Sequence, residues 1–403
     1  MILIVAQYTQ TFECEANSRF TEIAQKLSEK YDIELVTSRF SHSLKRNKKP
    51  NVFPKEYRVT FLESYPYKRN VSIQRIWNNI SFAKSLESYL NAKKDIDLIY
   101  CAVPSINVGD IVSRFCKKNR IEYILDIQDL WPEAFKMVFN PPIIGRLIYA
   151  PMKRKIDRVY SGTKHVIAVS QTYLNRATKE IAHIPNDQLV AYLGTSLERF
   201  DKLVDNKKNT IETRDKIVIV YIGTLSVSYD LRIVIQAIKR IGEQTEVPIK
   251  LLVMGDGIKR IEFEDCAKES RIDFEFTGML PYGEMVKRLV KCDIAVNPIV
   301  KGSAGSVINK VCDYAAAALP VVNTQECEEY RKLLRDYNSG INCAVGSIDE
   351  VAAALIMLID NKELRVEMGK NSRKLAEEKF DRDCTYKEIK DFVDRVYENS
   401  DSK

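Results

Sequence analysis

Histidine is scarce in this chain, with three in 403 residues, at positions 42, 165 and 183. A metal centre built on histidine needs ligands that cluster, so none is expected. The nine cysteines stand singly, with no CxxC pair and no cysteine–histidine spacing of a zinc site. Cys101 and Cys116 lie among apolar neighbours and read as small core residues of a reducing compartment. No apolar run approaches the ~18 residues that mark a membrane span. The opening MILIVAQYTQ has neither the basic flank nor the small-residue cleavage site of a secretory leader, and reads as a first strand. Short repeats and low-complexity segments are missing as well. Met254-Gly255-Asp256-Gly257 starts like a dinucleotide fingerprint, but Arg260 occupies the third glycine position, which argues against a dehydrogenase.

What is present is a globular composition, 45% hydrophobic and 29% charged. A chain of this length exceeds one core and implies two domains of about 200 residues each. Short apolar runs alternate with helical stretches. Ile2–Ala6, Glu34–Thr37, Val59–Leu62, Leu98–Ala102, Tyr123–Ile127, Val166–Val169 and Leu189–Leu193 read as strands covered on both faces. Helical patterns near Asn17–Lys30, Ser72–Tyr89, Val108–Lys118, Ile143–Tyr160 and Gln171–Thr178 separate them. Glu198–Lys216 is polar without a sustained period and reads as a linker. A second alternating set follows, with strands from Ile217–Tyr221 to Ile341–Ala344. The expected fold class is therefore α/β, with two doubly wound, Rossmann-like domains and a ligand cleft between them.

Gly302–Val322, GSAGSVINKVCDYAAAALPVV, is the stretch richest in chemistry. Its small opening residues, Gly302 to Ser306, allow backbone N–H groups to approach a ligand. A helix then starts, with Ser303 or Ser306 as cap, runs to Leu319 and stops at Pro320. A glycine-rich loop entering a helix is a ready phosphate site. Asn309, Lys310 and Asp313 share a helix face, so a cation and a carboxylate stand beside that cradle. The same residues would also fit an ordinary αβ connection carrying a Lys–Asp surface pair.

Other motifs sit at strand ends. Gly223-Thr224 closes one strand and Gly278-Met279 another, either as plain turns or as backbone contacts to a phosphate and a base edge. Asp126-Ile127-Gln128-Asp129-Leu130-Trp131-Pro132-Glu133 follows a strand and offers three carboxylates and a tryptophan where α/β sheets hold ligands. Asp129 also fits the N-cap of a helix with Pro132 in its first turn. Asp95 and Asp97 have DxD spacing but precede their strand, so no metal is expected there. The net charge is +7, and Lys45–Arg75 concentrates it, with cations answered only by Glu56 and Glu63. That stretch reads as a solvated loop, a nucleic-acid surface or a lipid-facing patch. Ile73, Ile76, Trp77, Ile80, Ala83 and Leu86 recur at helical spacing and read as core. Asn140–Lys155, NPPIIGRLIYAPMKRK, is the better candidate for a lipid surface.

Taken together, DIQDLWPE, VSQTYL, YLGTSLERFD, VYIGTLSVSYDL, MGDG, CDIAVNPI and INKVCDYAAAALPVVNTQE resemble the successive segments of family 4 retaining glycosyltransferases of the GT-B fold. The nearest likeness is to those that build bacterial capsule, O-antigen and exopolysaccharide. The resemblance implies an acceptor domain at 1–202, a nucleotide-sugar domain at 203–380, and a final helix at 381–403 crossing back onto the first. It implies a UDP-sugar donor met by Gly223, Thr224, Gly255, Gly278, Met279, Gly305, Ser306, Val307, Lys310 and Asp313. Lys310 would neutralise the leaving diphosphate and Asp313 would bond the ribose. Asp126, Trp131 and Arg19 would meet the acceptor.

The chain departs from the family at three points. Gly305 stands where relatives carry the first of two glutamates, and Asp313 replaces the second. No phosphate-binding Arg–Lys pair is evident near Gly223. The first-domain histidine of many relatives corresponds to Gln128 or Asp129, which puts Asp129 beside Lys310 as a catalytic candidate. No cofactor or metal is implied, because cationic groups can hold the diphosphate. The expected partners are the donor and a lipid-linked or oligosaccharide acceptor at the inner face of the plasma membrane, not nucleic acid. A nucleotide-sugar 2-epimerase of the same fold and a non-catalytic nucleotide-sugar-binding subunit are the alternatives.

Overall fold

The computed structural model describes residues 1–10, 12–13, 18–69, 72–103, 105–131, 144–179, 187–205, 216–303 and 305–401. The chain divides into two units, Met1–Ala191 with Tyr386–Lys403, and Tyr192–Thr385.

The first unit opens with β1 (Ile2–Val5), α1 (Arg19–Ser28), β2 (Ile33–Ser38) and a small antiparallel ribbon of β3 (Phe40–Ser41) and β4 (Arg46–Asn47). It continues through β5 (Arg58–Leu62), α2 (Ile73–Ala92), β6 (Leu98–Val103), α3 (Ile106–Asn119), β7 (Glu122–Ile127), α4 (Ile144–Ser161), β8 (His165–Ala168), α5 (Gln171–Thr178) and β9 (Asp187–Val190). Seven strands form a parallel sheet in the order β5-β2-β1-β6-β7-β8-β9. Every residue of β1, β2 and β6 is buried, as strands covered on both faces are, with Glu34, Thr37 and Ser38 the polar residues of β2. β1 pairs Ile2 with Ile33 on one side and with Leu98 on the other. The order reverses between β1 and β6, and the carboxyl edge there is where such a sheet leaves room for a ligand.

The second unit comprises α6 (Leu197–Asp205), β10 (Ile217–Ile222), α7 (Leu231–Gly242), β11 (Ile249–Met254), α8 (Arg260–Ser270), β12 (Asp273–Gly278) and α9 (Tyr282–Leu289). It goes on through β13 (Ile294–Asn297), α10 (Asn309–Ala316), β14 (Val321–Asn323), α11 (Glu328–Asp336), β15 (Gly340–Asn342), α12 (Ile348–Asp360), α13 (Lys362–Leu375) and a π-helical turn at Ala376–Phe380. Its six parallel strands run β12-β11-β10-β13-β14-β15, so the reversal falls between β10 and β13. The last helix, α14 (Arg382–Asp401), returns to the first unit. There Tyr386, Ile389, Phe392, Val393 and Val396 join Ile2, Ile4 and Leu35 in one core. Their helical spacing is the reason: one stripe of α14 is apolar and must be covered.

Four expectations need correction. Residues 198–205 of the expected linker belong to the helix Leu197–Asp205, because Leu197 and Phe200 pack into the second unit's core, and residues 206–215 lie outside the described part. The expected domain boundary at 202/203 thus falls within α6. The helix of Gly302–Val322 is shorter than its pattern. It starts at Asn309 after an extended Ile308 with no side-chain cap, so neither Ser303 nor Ser306 caps it. Finally, Ile73, Ile76 and Trp77 are not core; they are 73%, 57% and 56% exposed, while Asn78, Asn79, Phe82 and Leu86 carry the buried face of α2. Of the expected lipid-facing run, residues 140–143 lie outside the described part, as do Pro132, Glu133 and Ala304.

Candidate functional site

The reversal between β10 and β13 gathers the second unit's sequence motifs. Gly223 follows β10 with φ +119, and its N–H donates to the Met254 carbonyl at 3.0 Å. Gly255 lies so close that a Cβ on it would sit 1.8 Å from the Gly223 oxygen. Only hydrogen fits there, which is why glycine ends β11. Gly255 also bridges to Gly278 at the end of β12. Three glycines that are far apart in sequence thus become one backbone floor. The loops beyond them are stitched together, with Leu225 N–H donating to the Asp256 carbonyl at 2.9 Å and Lys259 N–H to the Leu225 carbonyl at 3.1 Å.

Lys310 enters this floor from the first turn of α10. Its side chain is buried, and among the described residues its Nζ has no hydrogen-bond partner. The ammonium instead stands 3.9 Å from the Tyr221 ring centroid and 3.8 Å from that of Tyr229. A Cβ on Gly223 would lie 3.2 Å from Nζ. Burial holds the lysine well below the usual lysine range. A desolvated cation without a counter-ion is costly, and two π faces repay only part of that cost. The arrangement is chemically incomplete until an anion arrives. No Lys–Asp surface pair forms, so the ordinary-connection alternative fails at this residue.

Asp313, one turn on, faces elsewhere. Its Oδ1 accepts from the Thr195 hydroxyl at 2.6 Å and the Tyr282 hydroxyl at 2.9 Å. Burial pushes its carboxyl up, against those two hydrogen bonds and the charge of Arg382. Lys310 and Asp313 therefore serve two separate surroundings, although they sit three residues apart.

The loop entering α10 is held by a ladder of amides at the strand ends. Asn297 Nδ2 donates to Asn323 Oδ1 at 2.9 Å, and Asn323 Nδ2 to Asn342 Oδ1 at 2.8 Å. Gln325 Nε2 donates to the Ser306 carbonyl at 2.7 Å, and Glu326 Oε2 accepts from Gly302 N–H at 3.0 Å. Ser306 and Val307 are buried, while Gly305 is exposed. The ladder escaped sequence reading because asparagine at a strand end looks like a turn residue. Tyr221 and Tyr229 escaped it too, the first inside a strand pattern and the second inside a loop. Val227, Ile258 and Met279, on the same three connections, are 58%, 83% and 82% exposed, and Ile261 in the first turn of α8 is 74% exposed, an apolar rim.

In the first unit, Asp126, next to last in β7, is fully buried and accepts from Arg19 Nε at 2.8 Å and the Tyr100 hydroxyl at 2.7 Å. Arg19 also donates to the Ala191 carbonyl at 3.1 Å and lies over the Tyr386 ring. Both residues are buried and bonded to each other. Asp129 accepts from Leu130 N–H at 2.9 Å and from Trp131 Nε1 at 3.2 Å. Trp131 is buried, with the Arg75 guanidinium 5.2 Å over its ring. Tyr8 and Gln7, just after β1, reach Asn79 and Asn78 of α2. His42 beside them is held down to about 4 by burial, Lys45 and Arg75. Asp97 sits at the start of β6 and bonds the Tyr397 hydroxyl and the amino terminus, away from the carboxyl edge. Among the described residues no group of three or more His, Cys, Asp or Glu is placed to hold a metal ion.

Comparison with known proteins agrees with this geometry. Residues 204–375 match the family model described as Glycosyl transferases group 1. An uncharacterized glycosyltransferase of Methanocaldococcus jannaschii is 23% identical over 360 residues, covering 86% of this chain and 80% of that protein. The structure is similar to sucrose-phosphate synthase from Thermosynechococcus elongatus, with a TM-score of 0.72, 13% identity and 99% of each chain covered. It is also similar to HepE of Anabaena solved with UDP, with a TM-score of 0.70, 13% identity, and 98% of this chain and 99% of that one covered. The fold is therefore that of the GT-B glycosyltransferases, and residues 204–375 carry the likeness to the group 1 glycosyltransferase model.

Proposed function

We propose that this chain moves a sugar, with retention, from a UDP-sugar to a lipid-linked glycan at the inner membrane face, in surface polysaccharide synthesis. The observation that carries the donor half is the Lys310 ammonium, buried without an acceptor over the Gly223–Gly255–Gly278 floor. A diphosphate set there would receive the lysine charge and the amides of the loop entering α10. As the anomeric C–O bond breaks, negative charge grows on the diphosphate. Each preorganised donor aimed at it lowers the barrier by roughly 2–4 kcal/mol. A β-phosphate oxygen takes the acceptor proton, and the acceptor attacks the face the diphosphate leaves. The apolar rim of Ile258 and Met279 offers a flat base something to lie on. Gly305 leaves the sugar to backbone contacts, where relatives of the resembled family use a glutamate. Asp129, pinned by Trp131, is the candidate acid/base of the first unit.

UDP titration tests the donor half directly, and a panel of UDP-sugars with lipid-linked acceptors tests transfer. Lys310→Met should lower kcat by about 100-fold or more while the protein stays folded. Unchanged transfer in that variant, or an epimerised donor recovered without any acceptor, would sink the reading.

A further inference from the structure

The amino-terminal turn of α2 carries an apolar face that none of the described residues covers. Ile73, Ile76 and Trp77, at i, i+3 and i+4, share one side of the helix and are 73%, 57% and 56% exposed. Tyr65, 53% exposed, is pinned beside them: its N–H donates to Ser81 Oγ at 2.8 Å and its carbonyl accepts from Asn78 Nδ2 at 2.6 Å. Single exposed apolar side chains need no explanation, but four large ones held together do.

Charge decides what covers them. Lys68 and Arg69 stand exposed between Tyr65 and Ile73, and Lys84 continues the same helix face two turns on. Among the described residues none of the three has a carboxylate partner. The neighbouring cations differ, for Arg39, Arg46 and Arg58 are answered by Glu63, Glu13 and Asp32. The carboxylates nearest the face are themselves engaged, Glu63 with Arg39 and Glu87 with Arg114. A second copy docked by this face would bring like charges together. No helix among the described residues is long and apolar enough to cross a bilayer. Aromatic rings and isoleucines ringed by cations are the surface that lies on an anionic bilayer.

We infer that Tyr65, Ile73, Ile76 and Trp77, with Lys68, Arg69 and Lys84, form the surface by which this chain sits on an anionic phospholipid membrane. The apolar side chains enter the headgroup boundary and the cations meet lipid phosphates. Arg75, in the same turn, reaches inward over Trp131. The surface therefore adjoins the carboxyl edge where the first unit would take a lipid-linked acceptor. It deepens the functional proposal in that one respect and makes no use of Lys310.

The test uses the whole chain with vesicles of phosphatidylcholine alone or with phosphatidylglycerol, and needs neither donor nor acceptor. Its failure therefore leaves the donor reading standing. Sedimentation should show binding to the anionic vesicles that weakens as salt rises. Lys68→Glu with Arg69→Glu should weaken it by at least about fivefold per cation. Ile73→Ser with Ile76→Ser and Trp77→Ser should weaken it at least about tenfold, at unchanged melting temperature. The chain has two tryptophans, and Trp131 is buried, so Trp77 is its own reporter. Its emission should shift blue on anionic vesicles, and Trp77→Phe should abolish the shift. Three results would overturn the inference: no binding to anionic vesicles, an unshifted Trp77, or a dimer in light scattering that the triple variant disperses. Should the triple variant unfold, the Trp77 signal of the native chain still decides.

Discussion

Lys310 shows how one residue joins stability to function. Its ammonium is buried with no hydrogen-bond partner, so the folded chain bears a desolvation cost that the unfolded chain does not. Lys310→Met should therefore raise the melting temperature by a few degrees while transfer is lost, a trade that calorimetry beside an activity assay would check. The facing groups, Tyr221 and Tyr229, are both raised by burial and stay neutral. UDP should thus bind with proton uptake only where pH exceeds the lysine's lowered range, and its affinity should fall as pH rises through that range; titration calorimetry in buffers of differing ionisation enthalpy measures this. Lys48 is a second case, away from the site. Burial lowers it to about 7, and among the described residues its Nζ reaches the Thr37 hydroxyl, at 3.2 Å, and the Phe61 ring. The unfolded chain keeps that proton up to the ordinary lysine range, so the folded state loses less as pH rises from about 7 towards 10. Stability should climb over that window by at most about 1.4 kcal/mol per unit from this group. Lys48→Met should flatten that climb in denaturant melts.

At the scale of elements, two devices hold the frame. α14 buries Ile389 and Phe392 completely in the first unit's core. Phe392→Ala should cost about 3–5 kcal/mol, read as a lower denaturant midpoint. The amide ladder across β13, β14 and β15 holds the loop that feeds α10. Gln325→Leu frees the Ser306 carbonyl and should raise KM for the donor more than it lowers stability; an equal loss of Tm and no change in KM would count against this positioning role. The ladder illustrates what sequence reading misses. Each asparagine alone is a turn residue, and only parallel pairing in register brings Asn297, Asn323 and Asn342 into line.

At the scale of the whole molecule there are two units, each with its own parallel sheet and core. A ligand of the second unit alone should raise the transition of that unit. UDP at about a hundred times its Kd should add about 2.7 kcal/mol to it, seen by scanning calorimetry as one transition moving while the other holds.

Hydrophobic periodicity by itself determined most of the architecture. Apolar runs covered on both faces can only be central parallel strands, and their alternation with helical stretches set out two doubly wound units. Glycine at strand ends was legible for the same local reason. Burial was not local. The stripe Ile73–Ile76–Trp77 has the same spacing as a core stripe, and only the sheet beneath α2 decided that Asn78 and Phe82 face inward instead. Nor could spacing separate Lys310 from Asp313. Their common helix face is split by what packs against it, tyrosine rings on one side and the Thr195 and Tyr282 hydroxyls on the other. Periodicity tells which residues must leave water. Which neighbour they meet there is settled only when distant segments close on one another.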